Sequence, residues 1–134
     1  MAPSEAGGAK ARIVNVASTA GLRGYAYVSA YTAAKHGVIG LTRALALELA
    51  GAGVTVNAVC PAFTETPLLE AAIENIVTKT GRTVSEARAE LAKGIPLGRL
   101  AQPQDVASAV MWLVSKSAGF VTGEALSISG GEVM

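Results

Sequence analysis

The chain has 134 residues, of which 51% are hydrophobic and 16% charged, with a net charge of +1. That composition excludes a disordered chain, and near-neutral charge with 4% aromatics argues against a nucleic-acid or anionic-membrane partner. The length suits one domain, no run approaches the roughly 18–20 apolar residues of a membrane span, and Cys60 stands alone, so a reducing cytoplasmic setting is expected.

Residues 1–11 are small and polar, without the apolar centre of a signal peptide, and read as a flexible lead-in. Ile13–Ala17 is a β-branched run suited to a strand buried on both faces. Ser18–Gly24, with two glycines, reads as a loop. A helix is expected from about Ser29 to Ala50, with Ala34, Val38, Leu41, Leu45 and Leu49 as its apolar stripe and Gly51 and Gly53 as its stop. Val54–Val59 predicts a second buried strand, closed by Pro61.

Thr66 followed by Pro67 is an N-cap with proline in the first helical position, opening a helix to about Thr80. Thr83 with Glu86 reads as a capping box for a second helix that Gly94 ends. Pro103, with Asp105 in the first turn, opens another, and Ala125–Ser129 predicts a last strand before Gly130 and Gly131. Strand, helix, strand, helices, strand is the order of a parallel α/β sheet.

Tyr31 and Lys35 lie four residues apart near the start of the long helix, and so share one face. A tyrosine with a pKa of about 10 transfers protons poorly near neutrality. A neighbouring ammonium favours the phenolate and makes the phenol a usable acid or base. Ser18, at the end of the preceding strand, is placed to hold a substrate oxygen beside that phenol. Tyr-x-x-x-Lys alone is common, so the weight rests on what surrounds it. His36 reads as a helix-surface residue, Cys60 as a small core side chain, and Arg43 and Glu48 as a solvated face. Tyr25 and Tyr27 suit either a substrate-pocket wall or ordinary loop packing.

Ser18 precedes Tyr31 by thirteen residues within Asn15-Val-Ala-Ser18, Tyr31-Thr-Ala-Ala-Lys35-His-Gly37 and Leu41-Thr-Arg-Ala-Leu45-Ala-Leu-Glu48. Val54-Thr-Val-Asn57-Ala-Val-Cys-Pro61, Thr64-Glu-Thr66-Pro67, Gly98-Arg99, Pro103-Gln-Asp105-Val-Ala107, Val121-Thr-Gly123 and Ser129-Gly-Gly131 follow in order. Together they closely resemble the carboxyl-terminal half of the short-chain dehydrogenase/reductase family, over roughly nine-tenths of the chain from Arg12 onward.

The resemblance implies a partial Rossmann-like doubly wound parallel sheet over residues 12–134, its three strands side by side. It implies an oxidoreductase that interconverts a secondary alcohol and a ketone with NAD(H) or NADP(H), on substrates of 3-hydroxyacyl or 3-oxoacyl type. Ser18 would orient the substrate oxygen, Tyr31 would be the general acid or base, and Lys35 would support Tyr31 and bind the nicotinamide ribose. Pro61, Ala62, Thr64 and Thr66 match the loop that wraps the nicotinamide, and residues 68–93 match the segment that forms a substrate lid. No metal enters this scheme.

Two departures carry consequences. Glycine is usual where Ala62 stands, so a left-handed backbone there would cost about 1 kcal/mol. The family's glycine-rich pyrophosphate loop has no counterpart here, so the expected sheet lacks its first half and association is expected, with further copies or with full-length relatives. A non-catalytic assembly subunit or truncated product is the alternative reading.

Overall fold

The computed structural model describes residues 11–134. Strands β1 (Ala11–Val16), β2 (Val54–Pro61) and β3 (Ala125–Ile128) form one parallel sheet in the order β1-β2-β3. Ile13 stands opposite Val56, and Val59 opposite Leu126. Parallel neighbours need long crossovers. Helix α1 (Ser29–Leu49) lies in the first, and α2 (Pro67–Thr80), α3 (Val84–Ala92) and α4 (Pro103–Val114) lie in the second. This is the α/β arrangement the sequence pattern predicts.

β2 is the buried centre: Val56 to Cys60 are each 0% exposed, and since successive residues face opposite ways, the sheet is covered on both sides there. β1 departs from expectation. Val16 is 58% exposed and Ile13 36%, because β1 pairs only with β2 among the described residues and has no flanking side chains on its other edge. Ala11, the expected end of the lead-in, is the first strand residue, and the rest of the lead-in lies outside the described residues. The strand stops at Val16 and Ser18 already belongs to a 3₁₀ turn, Thr19–Gly21, where a plain loop was expected.

The buried stripe of α1 is Ile39, Thr42 and Ala46, with Val38, Leu45 and Leu49 half-buried beside it and Ala34 and Leu41 exposed. The cause is a polar anchor. Asn15 Nδ2 donates to Thr42 Oγ1 (3.0 Å), whose hydroxyl donates to the Val38 carbonyl (2.7 Å), so a threonine occupies the centre of the face toward the sheet. Counting apolar residues alone places the stripe one position off.

All three later helices start where expected. Thr66 caps α2 and Thr83 caps α3, each accepting a first-turn amide. The box at Thr83 closes through its own hydroxyl, 3.1 Å from Glu86 Oε1. At α4, Asp105 accepts the Gln102 amide at 2.8 Å. Asn57, fully buried, donates to the Val121 carbonyl and accepts from the Glu124 amide, both at 3.0 Å, pinning the approach to β3 against β2.

Two apolar clusters stand out, with Val56, Val59 and Leu113 buried outside both. One joins Ala17, Ile39, Ala58 and Cys60 between sheet and α1; the other joins Leu69, Ile73, Ala87, Ile95 and Leu100 under α2 and α3.

Candidate active site

A cleft of about 640 Å³ opens beyond the C-terminal ends of β1 and β2, and residues of both clusters line it. Ligands of open α/β sheets bind at this end of the strands. Ser18, Tyr31, Pro61, Ala62, Thr64 and Thr66 all line the cleft.

Ser18 caps the 3₁₀ turn, its Oγ accepting the Ala20 amide at 3.1 Å. A hydroxyl has one proton and two acceptor positions, so that bond leaves the Ser18 proton to be offered into the cleft. Tyr31 stands in the first turn of α1, about half exposed. Lys35 lies one turn on and does not line the cleft: its Nζ sits 5.6 Å from the centre of the Tyr31 ring, within cation–π range. The serine turn and the helix meet at Gly21. A Cβ there would come 2.9 Å from the Lys35 carbonyl oxygen and 3.1 Å from Ile39 Cγ1. Only glycine lets the Ser18 turn lie this close to the Tyr31 helix.

On the opposite side, Thr64 donates to the Ala62 carbonyl (2.9 Å), and Thr66 accepts the Leu69 amide. The loop is tied down where the Ala101 amide donates to Phe63 O and the Glu65 amide to Ala101 O. Tyr27 is the one non-glycine residue at positive φ (69°) among the described residues, so Ala62 does not adopt the left-handed backbone considered above and carries no such cost. The donor set suits the nicotinamide end of a dinucleotide: an apolar slot edged by the Thr66 hydroxyl proton and the acceptor positions of Thr64.

Tyr25 lines the cleft, whereas Tyr27 points fully into solvent. The Tyr25 oxygen lies 2.9 Å from both Thr19 Oγ1 and Glu132 Oε1, and burial above all raises its pKa from the ordinary value. Cys60 is fully buried and burial raises its thiol too, which keeps it a neutral core side chain. His36 is exposed, Nδ1 2.9 Å from the Thr32 carbonyl. Gly21 and Glu132 escaped sequence reasoning. A glycine near a turn signals a bend and not a contact, and nothing local marks a residue that reaches across the fold.

A parallel sheet with its crossover helices and a cleft at the carboxyl ends of its strands defines a Rossmann-like α/β architecture. The comparisons narrow it. The family model described as enoyl-(acyl carrier protein) reductase matches residues 2–132, and the chain belongs to the short-chain dehydrogenase/reductase family. It is 45% identical over 123 residues to an acetoacetyl-CoA reductase of an Acinetobacter species, covering 92% of this chain and 45% of that protein. Among solved structures it is similar to a short chain dehydrogenase family protein of Francisella tularensis (TM-score 0.90, 34% identity, 93% of this chain and 52% of that one). It is also similar to an F189W actinorhodin polyketide ketoreductase with NADPH (TM-score 0.84, 44% identity, 90% and 46%). The chain thus spans about half the length of the relatives it matches.

Proposed function

We propose that this chain forms the catalytic half of an NAD(H)- or NADP(H)-dependent oxidoreductase that interconverts a 3-oxoacyl and a 3-hydroxyacyl group. The observation that carries the reading is Ser18 and Tyr31 on one cleft with the Lys35 ammonium behind the Tyr31 ring. Ser18 donates its free proton to the substrate carbonyl oxygen and fixes where that oxygen sits. Tyr31 gives its proton to the same oxygen in reduction and takes it back in oxidation. Lys35 stabilises the negative charge left on Tyr31 while the proton is away, and would be the residue to bind the nicotinamide ribose. Pro61, Ala62, Thr64 and Thr66, which line the same cleft, would hold the nicotinamide. When bound, the nicotinamide supplies or accepts the hydride.

Val28, Leu68, Leu69 and Ala72 give the rest of the cleft an apolar wall, which suits an acyl chain better than a sugar. The names of the two reductases cited above point the same way. No helix among the described residues is long and apolar enough to cross a membrane. We place the protein in the cytoplasm, associated with copies of itself or with longer family members: Leu41 (54% exposed) and Leu47 (84%) leave apolar surface on α1 for such contact.

The deciding experiment titrates the purified protein with NADH and NADPH, following nicotinamide fluorescence, then adds acetoacetyl-CoA and follows the loss of reduced cofactor. Saturable binding with turnover is the expected result. Absence of cofactor binding at millimolar concentration, alone and with a full-length family member added, would overturn the reading in favour of a non-catalytic assembly subunit.

A further inference from the structure

Tyr25 precedes Tyr31 by six residues and forms part of the same cleft, yet the scheme above gives it no task. Its oxygen has two partners at 2.9 Å. A carboxylate can only accept, so the phenol donates to Glu132 and receives the Thr19 hydroxyl proton. Arg23 lies over the ring, its guanidinium carbon 4.6 Å from the centroid. The ring is therefore fixed at its edge and on a face, in a loop where neighbouring Tyr27 is fully exposed.

Glu132 comes from the other end of the chain and is held in place by a built structure. The tail turns back on β3 with its Glu132 amide on the Ser129 carbonyl (3.1 Å) and its Val133 amide on Ser129 Oγ (3.2 Å). Gly130, at φ 59°, makes the turn possible, since a Cβ there would lie 2.7 Å from Ile95 Cγ2. Glu132 Oε1 accepts the hydrogen bond of the Tyr25 hydroxyl.

We propose that Glu132 is a positioning residue that acts through Tyr25, fixing the wall of the cleft that grips the acyl chain of the substrate beyond its reacting carbonyl. This rests on the 3-oxoacyl reading. On this reading a substrate long enough to lie against the Tyr25 ring senses the clamp more than one that ends short of it.

The test compares acetoacetyl and 3-oxodecanoyl N-acetylcysteamine thioesters in the whole protein and in Glu132→Ala, Glu132→Gln and Tyr25→Phe. Glutamine keeps an acceptor for the phenol, so it behaves as the parent. Glu132→Ala and Tyr25→Phe each raise KM for the ten-carbon substrate about threefold to tenfold more than for the four-carbon one, the worth of one hydrogen bond, with the loss falling on KM more than on kcat. The double variant adds nothing further, since both changes cut one link. Proportional losses on both substrates, no change on either, or failure of glutamine to rescue would overturn the proposal. If Glu132→Ala does not fold, Tyr25→Phe decides alone. If the parent shows no turnover, the functional reading falls while the clamp is still judged by calorimetric binding of the 3-hydroxydecanoyl thioester: weaker binding to Tyr25→Phe supports it, equal binding overturns it.

Discussion

On one side of the cleft, Ser18 caps a buried turn that packs against α1, whose half-exposed first turn carries Tyr31; on the other, α2 and α3 lie over a small cluster of their own. Asn15, Thr42 and Gly21 lock the first side, each through a contact between segments far apart in sequence. The second side is held by Leu69, Ile73 and Ala87 inside, and outside by Arg88, whose guanidinium bonds Glu65 and Glu70. α3 buries only Ala87. Separate interiors make separate cooperative units. On the function proposed above, the side that carries the proton donor packs on the sheet, and the side that would receive the substrate rests on its own cluster.

The sharpest break of this comparison is chemical. Tyr31→Phe keeps the ring and removes the transferable proton, so kcat should fall about 10²- to 10⁴-fold with little change in melting temperature. Leu68→Ala, on the other wall and 82% exposed, should raise KM a few-fold and leave kcat nearly intact. Steady-state kinetics on the same thioester reads both. Comparable kcat losses would mean that the walls do not divide the labour this way.

Next comes the hinge between turn and helix. Gly21→Val places branched atoms where even a Cβ meets the Lys35 carbonyl at 2.9 Å, and backbone cannot yield as a flexible side chain can. Overpacking of this kind costs about 1–3 kcal/mol, and the displaced Ser18 should lower kcat at least about tenfold. A melt and a rate measured together check it; full activity would show that the Ser18 turn tolerates displacement.

Much of this was legible in the sequence. Thr66, Thr83 and Pro103 announce their helices because caps are local chemistry, and β2 announces itself by a valine-rich run closed by Pro61. Ser18, Tyr31 and the loop at Pro61–Thr66 were expected together and do line one cleft. What stayed hidden is long-range. β1 reads like β2, yet burial of a strand depends on its neighbours in the sheet and not on its own residues. The face of α1 turned on the Asn15–Thr42 bond, which apolar periodicity leaves uncounted. The Tyr25–Glu132 contact joins residues 107 positions apart and has no local signature.

Two matched cavities sharpen the comparison at the level of stability. Ile39 and Ile73 are both nearly fully buried, one in each cluster, so truncation to alanine should cost about 2–5 kcal/mol locally in either case. Ile39→Ala should lower the whole denaturation midpoint. Ile73→Ala should accelerate amide exchange across α2 and α3 while β2 stays protected. Uniform exchange in both variants would mean that the clusters unfold as one.

The smallest effect lies outside both walls, at the start of α4, which packs on β1 and β2. Asp105 accepts from Arg99 at 2.9 Å and from the Gln102 amide at 2.8 Å, and these bonds, the Arg99 one first, hold its carboxyl below the ordinary range. A group whose folded-state pKa is depressed stabilises the fold only while ionised there, so its contribution is present above the unfolded value of about 3.9 and fades as pH falls through the lowered one. Asp105→Asn should therefore melt about 1–3 °C below the parent near pH 6, with the gap narrowing as pH falls below the unfolded value of about 3.9. Because Asp105 stands clear of Ser18 and Tyr31, kcat should not follow the melting temperature. A gap that stayed constant with pH would show that Asp105 acts by packing and not by charge, and a matching loss of kcat would tie α4 to the catalytic wall.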